Sequence, residues 1–198
     1  GVRDDPSGAV GVAGGSGDTS CISRTVRHRA RCRSGAGDQP AGTASDGSVT
    51  LADRCTDVGV CAKGEPLPAK ARGNFGQLLQ LKKRFPHLKI AISIGGWGGS
   101  ARFSDAALTE ASRKKFASSA IDLYIRRWPG LFDGIDIDWE FPVRGGLKGN
   151  VERPEDTENF TLLLAEIRRQ LDAEGTRNRK HYELTIAASA RPSEIANL

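Results

Sequence analysis

From Asn74 onward, segments with helical periodicity alternate regularly with short apolar segments that are typical of strands. The predicted elements are helices within 74–85, 109–127 and 154–175, and strands within 88–94, 132–139 and 182–189. Because one helix precedes each strand, the strands are expected to be parallel and joined by right-handed crossovers. The sequence therefore predicts an α/β fold that closes either as a doubly wound sheet or as a (β/α)8 barrel.

The number of predicted strands limits the barrel interpretation. A complete (β/α)8 TIM barrel typically needs about 250 residues, whereas this chain has 198 residues and offers three convincing strands. A barrel in this chain would therefore be partial and would contain only central strands.

The first 73 residues have a different composition from the rest. All seven Phe, three Trp and two Tyr lie from Phe75 onward, and the first part is rich in Gly, Ser, Asp and Ala. With so few large apolar side chains, this part cannot bury enough surface to compensate for its ordering entropy. We therefore predict an atypical, poorly ordered low-complexity segment at 1–73 and a partial barrel domain at 74–198.

Four cysteines lie in this first part, at Cys21, Cys32, Cys55 and Cys61. Their spacings differ from those of paired zinc knuckles, and the only histidine near them is His28. A single sequence leaves two possibilities open: two disulfides, with any of three connectivities, or four unpaired thiols. No metal site is predicted here.

The formal net charge of +5 is spread along the chain, except for one dense basic cluster at 24–33. Such a cluster could bind phosphates, but no aromatic residue that could stack on bases lies near it. A solvated loop is therefore favoured over a nucleic-acid site. No apolar stretch approaches the roughly 20 residues of a membrane helix, so no membrane partner is predicted.

The strand within 132–139 and the residue after it carry an unusual row of acids. Alternation along a strand directs Asp136, Asp138 and Glu140 to one face, and Ile135, Ile137 and Trp139 to the other. Three shielded carboxylates cannot all ionise easily, so at least one pKa should be raised, which keeps a proton for acid catalysis. On the residues alone, glycosidase-type acid catalysis is favoured over a divalent-metal cluster, which stays open.

Two motifs then resemble a known family. The segment from Asp133 to Glu140 matches the pattern D-x-x-D-x-D-x-E, and the segment from Ser93 to Trp97 matches S-x-G-G on the preceding strand. Together they resemble glycoside hydrolase family 18, the chitinases, in its bacterial form. The resemblance covers 74–198 and implies a (β/α)8 barrel that hydrolyses β-1,4 bonds of chitin with retention and without a cofactor.

The resemblance also implies a role for each motif residue. Glu140 would be the general acid and later the base, while the acetamido oxygen of the substrate would replace an enzyme nucleophile. Asp138 would orient the acetamido group, and Asp136 would share a proton with Asp138. The supporting residues would be Ser93, Asp133, Gly95 and Gly96. Trp97 is expected either to stack on a sugar or to cover the barrel rim.

Other functions remain open at this point. An endo-β-N-acetylglucosaminidase acting on glycans uses the same signature, and a chitin-binding lectin uses the same barrel but typically lacks the final glutamate, which is present here as Glu140. A metal-dependent hydrolase would lose its activity to a chelator. The expected partner is chitin or chito-oligosaccharides, bound by a monomer outside the cell. No signal peptide is visible in the chain.

The resemblance further implies a tyrosine after a later strand and a tryptophan on the last strand, neither of which occurs before Leu198. We therefore expect the 198-residue chain by itself to be inactive and poorly soluble. Turnover of chito-oligosaccharides by the purified chain would contradict this expectation.

Overall fold

The computed structural model describes residues 9–12, 46–62 and 64–198, and a parallel four-stranded sheet lies at its centre. The strands stand in sequence order and are β1 Ala9–Val12, β2 Lys89–Gly95, β3 Gly134–Asp138 and β4 Glu183–Ile186. In this register Ser93 of β2 pairs with Asp136 of β3, which pairs in turn with Thr185 of β4. The parallel sheet confirms the α/β prediction.

The strand β1 differs from the sequence prediction, which contained no strand before residue 74. Its backbone pairs with β2 from Ala9 opposite Lys89 to Val12 opposite Ile92. Four residues that include a glycine are too short and too weakly apolar to give a strand signal. The described sheet therefore has four strands rather than three.

The described residues also form six α-helices and one π-helical segment. They are α1 Arg54–Val58, α2 Gly73–Arg84, α3 Phe103–Leu108, α4 Glu110–Ala120, the π-helical segment Ile121–Arg126, α5 Asp156–Asn178 and α6 Pro192–Ile195. The predicted helix at 109–127 corresponds to α4 with the π-helical segment. It begins with a capping box in which Thr109 and Ser112 each bind the other's backbone N–H. No described helix has the length and apolarity needed to cross a membrane.

Two helix ends differ from the sequence prediction. Asn74 was expected to cap α2 but lies inside it, and its side-chain amide instead donates to Asp57 of α1 at 3.4 Å. Gly175 was expected to end α5, but the helix continues to Asn178. A Cβ at Gly175 would lie 2.3 Å from the backbone oxygen of Lys180. This glycine therefore permits a close backbone approach within the helix rather than a helix end.

Aromatic rings form much of the core between the sheet and its helices. Trp139 stacks on Phe103 with 5.4 Å between ring centroids and meets Phe160 edge-on at 5.3 Å. Tyr124 and Trp128 are also buried. The structure thus places Trp139 in the core, as the alternation along the strand predicts, together with Tyr124 and Trp128.

Part of the segment before residue 74 also contributes to this core. The buried side chains there are Val49, Val58 and Val60. Cys55 and Cys61 form a disulfide that joins α1 to the residues just after it. The core thus includes residues before the expected boundary at residue 74. The composition did not indicate this, because three valines and one disulfide add little to the apolar content of the segment. Cys21, Cys32 and the basic cluster lie outside the described residues.

Candidate active site

The end of β3 separates acidic from apolar side chains as the alternation predicts. The buried residues are Ile135, Ile137 and Trp139, and the partly exposed ones are Asp136, Asp138 and Glu140. The three carboxylates therefore lie on the side of the strand that faces away from the helices packed on Trp139. This arrangement confirms the predicted row of acids on one face.

Asp136 is fixed by hydroxyl groups on both neighbouring strands. Its Oδ2 accepts a hydrogen bond from Ser93 Oγ at 2.8 Å, and its Oδ1 accepts one from Thr185 Oγ1 at 2.6 Å. Both donors are the cross-strand partners of Asp136 in the parallel register. Sequence reasoning identified Ser93 but missed Thr185, because only the pairing of β4 with β3 brings it to the site.

Asp138 occupies the middle of the row, and no side-chain donor among residues 46–62 and 64–198 binds its carboxyl group. Burial, together with the negative charges of Glu140 and Asp136, raises the pKa of Asp138 to about 6. Asp138 therefore carries a proton through much of the mildly acidic range and leaves its oxygens available to a ligand.

Glu140 lies at the outer end of the row. Burial raises the pKa of its carboxyl group, and the negative charge of Glu194 adds to this shift. Glu194 belongs to α6, is itself almost buried, and accepts a hydrogen bond from Arg191 at 3.0 Å through Oε1. No motif or periodicity in the sequence indicates Glu194, because α6 follows β4 and not β3.

The backbone of Glu140 is held on both sides. Its N–H donates to Ser100 Oγ at 2.9 Å, and its carbonyl oxygen accepts from Asn150 Nδ2 at 3.1 Å. The peptide bond that follows, between Glu140 and Phe141, is cis. The position of this acid thus depends on two residues, Ser100 and Asn150, that lie in loops outside both sequence motifs.

The predicted glycines allow the strand ends to approach each other. Gly95 has φ +121°, and a Cβ there would lie 2.1 Å from the backbone oxygen of Asp138. The N–H of Gly96 donates to that same oxygen at 2.7 Å. Only a residue without a side chain fits at Gly95, so the S-x-G-G motif connects β2 closely to the acidic end of β3.

Trp97 follows these glycines and is 45% exposed. No ring contact to another described aromatic residue is present at Trp97. Its ring is therefore partly open to solvent rather than packed in the core.

Asp133 lies at the opposite end of β3 from Glu140. Its carboxylate binds Lys82 Nζ at 2.5 Å, Lys180 Nζ at 2.7 Å and the backbone N–H of Ile90 at 2.8 Å. Burial alone would raise the pKa of Asp133, but hydrogen bonds from Lys180 and Lys82 outweigh it and hold the pKa below its ordinary value. The structure thus separates Asp133 from the row that it was expected to support.

The acidic row does not form a ligand cluster for a metal. Within residues 46–62 and 64–198, no three His, Cys, Asp or Glu side chains are grouped so that they could hold an ion. Asp136 already binds two hydroxyl donors. The metal-dependent alternative therefore has no geometric support in this part of the chain.

Comparison with known proteins gives a consistent result. The family model for glycosyl hydrolases family 18 matches residues 38–198. Chitinase A1 of Niallia circulans is 48% identical over 152 residues, which cover 77% of this chain and 21% of that protein. The probable endochitinase of Orgyia pseudotsugata multicapsid polyhedrosis virus is 41% identical over 141 residues, which cover 70% of this chain and 24% of that protein.

Solved structures also match. The catalytic domain of the psychrophilic chitinase B from Arthrobacter TAD20 has a TM-score of 0.67 at 43% identity, over 79% of this chain and 41% of that chain. Chitinase ChiA74 from Bacillus thuringiensis has a TM-score of 0.68 at 41% identity, over 76% of this chain and 25% of that chain. This chain therefore spans less than half the length of each of these four proteins.

Proposed function

The chain belongs to the glycosyl hydrolases of family 18, and on this basis we propose that the protein hydrolyses the β-1,4 bonds between N-acetylglucosamine units of chitin. The relatives and solved structures described above are named chitinases or an endochitinase, which supports this substrate. The observation that carries the proposal is the row Asp136, Asp138 and Glu140, in which the last two have raised pKa values.

Glu140 is the general acid of the proposed reaction. Its raised pKa keeps a proton available, and that proton passes to the glycosidic oxygen as the bond to the anomeric carbon breaks. The acetamido oxygen of the substrate attacks the anomeric carbon and forms an oxazolinium ion. Glu140, now ionised, then takes a proton from the water that opens this ion, so the configuration is retained.

Asp138 and Asp136 act on the acetamido group. Because its carboxyl group has no side-chain donor among the described residues, Asp138 can accept a hydrogen bond from the acetamido N–H and stabilise the developing positive charge. Asp136 is fixed by Ser93 and Thr185, so it stays beside Asp138 and favours a proton there. The charge of Asp136 therefore helps to keep the pKa of Asp138 raised.

The remaining predicted residues have more distant roles in this proposal. Trp97 follows Gly96, whose N–H binds the backbone oxygen of Asp138, and its exposed ring is one on which a sugar can stack. Gly95 and Gly96 allow the close approach of β2 to β3, whereas Asp133 stabilises the fold at the far end of the strand. The three acids of the proposed mechanism, Asp136, Asp138 and Glu140, lie within 74–198.

We further propose that β2, β3 and β4 are consecutive central strands of a (β/α)8 barrel. The alternating helices, the parallel pairing and the likeness to the two chitinase structures support this placement. Catalytic residues of such barrels lie at the C-terminal ends of the strands, which is where Asp138 and Glu140 stand on β3. Because chitin is an extracellular polymer, the proposed site of action is outside the cell.

The direct test is turnover by the protein expressed from its complete reading frame. Incubation with chito-oligosaccharides should give shorter oligomers by mass spectrometry, and proton NMR of the first products should show the β-anomer. A chelator should leave the rate unchanged. Activity only on glycoprotein glycans, α-anomeric products, or loss of activity with chelator would each overturn the proposal.

The charge of Glu194 leads to a prediction on pH dependence. Glu194→Gln removes a negative charge that raises the pKa of Glu140, so Glu140 should lose its proton at a lower pH. Asp136 and Asp138 face Glu140 from β3, and Arg191 partly neutralises Glu194, but none of these groups changes in the variant. We expect the basic limb of the kcat/KM profile to move to lower pH.

The control for this measurement is Glu183→Gln. Glu183 begins β4, at the end of the sheet away from Glu140, and is exposed. Its substitution removes the same charge but should leave the basic limb in place. A basic limb that is the same in the wild type and in Glu194→Gln would show that Glu194 has no influence on the general acid.

A further inference from the structure

Ser100 is fully buried where the segment after β2 meets the end of β3. Its Oγ lies 2.9 Å from the backbone oxygen of Gly96, 3.1 Å from that of Asp138 and 2.9 Å from the backbone nitrogen of Glu140. A hydroxyl group has one proton and two lone pairs. Ser100 therefore accepts from Glu140 and donates to the two carbonyl groups, which share its proton.

These contacts replace the sheet hydrogen bonds at the point where the strand ends. The strand β3 ends at Asp138, so the N–H of Glu140 lies beyond the ladder that β2 and β4 provide. The N–H of Gly96 binds the backbone oxygen of Asp138 at 2.7 Å, and Ser100 Oγ accepts a hydrogen bond from the N–H of Glu140. Without Ser100 that donor would have no partner in a partly buried site.

The hydroxyl also connects the two motifs on which the proposed function depends. Gly96 belongs to the S-x-G-G motif, and Asp138 and Glu140 belong to the acidic row. The bonds of Ser100 go to backbone atoms only, so they fix the course of the chain and leave the carboxyl groups free. A shift of about 1 Å at a reacting group can lower a rate about 100-fold.

We infer that Ser100 is a positioning residue that holds the peptide before Glu140 and thereby aims its carboxyl group at the glycosidic oxygen. This inference rests on the proposed function of Glu140. Ser100 is fully buried and bonds only to backbone atoms, so it acts on the reaction through the position of Glu140 and of its neighbour Asp138.

The kinetic test compares Ser100→Ala with Ser104→Ala. Ser104 is equally buried, and its hydroxyl bonds to Asp156 and Arg153 instead of to β3. Both variants lose a buried hydroxyl and should lose similar thermal stability. We expect kcat of Ser100→Ala to fall about 10–100-fold with KM nearly unchanged, and kcat of Ser104→Ala to stay near the wild-type value.

A second pair of variants separates the hydroxyl from the space that it fills. Ser100→Thr keeps the hydroxyl and Ser100→Val lacks it, while the two side chains have nearly the same shape. If Ser100→Ala fails to fold, this pair provides the comparison, and kcat should be higher for Thr. Equal kcat values for Thr and Val, or for Ser100→Ala and Ser104→Ala, would overturn the inference.

Amide hydrogen exchange provides a measurement that does not depend on turnover. Without the Ser100 hydroxyl, the N–H of Glu140 should exchange faster, whereas amides of α5 should exchange as in the wild type. Unchanged exchange at Glu140 would overturn the positioning role even in an active enzyme. If the wild type had no turnover, but loss of the Ser100 hydroxyl still sped up exchange at the N–H of Glu140 and not in α5, the proposed function would be refuted. The positioning of the Glu140 backbone by Ser100 would still be supported.

Discussion

Glu140→Gln is expected to lower kcat on chito-oligosaccharides about 10²–10⁴-fold, which is the usual contribution of a general acid. Glutamine has nearly the same shape but cannot give a proton to the leaving oxygen. The backbone contacts of residue 140, to Ser100 and Asn150, do not involve the replaced group. Substrate affinity should therefore stay close to the wild-type value, so the loss should be in kcat and not in KM.

The stability of this variant should not fall. Because burial and the charge of Glu194 raise the pKa of Glu140, the folded state disfavours the ionised carboxyl group. A neutral amide removes that penalty, so the melting temperature near neutral pH should equal or exceed that of the wild type. A strongly lowered melting temperature would mean that residue 140 has a structural role.

The matched control is Glu152→Gln, which makes the same chemical change at an exposed position. It should retain wild-type kcat. If Glu140→Gln kept more than about a tenth of the wild-type kcat, the loss would fall below the range of general acid catalysis, and another group would have to supply the proton.

The period of two along β3 explains why the acidic row could be predicted from the sequence. Once Ile135, Ile137 and Trp139 are assigned to the core, Asp136 and Asp138 must point away from it. No long-range information enters that inference. The helices with a continuous apolar stripe were predictable for the same reason. Their ends were not, because the end of a helix depends on individual side-chain contacts, such as the hydrogen bond from Asn74 to Asp57.

The same period also accounts for the different position of Asp133. It lies an odd number of residues before Asp136, so it shares the face of the apolar residues and not that of the acids. The four acids of the motif are therefore close along the sequence, but in the structure Asp133 is separated from the other three. A buried acid on that face needs cationic partners, and Lys82 and Lys180 supply them from distant parts of the chain.

Other features depend on contacts that no local pattern contains. Thr185, Ser100 and Glu194 reach the site from three different segments, and each is a common residue without a motif. Val49, Val58 and Val60 enter the core from a segment of low apolar content. These residues were not predictable, because their neighbours are set by the packing of the sheet against its helices.

Asp133→Ala should cause a large loss of stability, about 3–5 kcal/mol in the free energy of unfolding. Asp133 is 5% exposed, and its carboxylate receives hydrogen bonds from two lysines and one backbone N–H. Its removal leaves Lys82 and Lys180 close together without a counter-charge. Urea denaturation at neutral pH measures the loss, and the control Glu110→Ala, at an exposed ion pair with Lys114, should change the stability by less than about 1 kcal/mol.

The pH dependence of this loss tests its electrostatic cause. The folded protein holds the pKa of Asp133 below its ordinary value, so the stabilisation is present above the pKa of unfolded Asp and disappears as pH falls through the folded pKa. The difference between the wild type and Asp133→Asn should therefore be constant at neutral pH and shrink below about pH 4. A difference that persists undiminished in acid would assign the role of Asp133 to packing rather than to its charge. Lys82→Met combined with Asp133→Leu should recover part of the stability lost in Asp133→Ala, because it replaces two of the three charged groups of this cluster with apolar side chains.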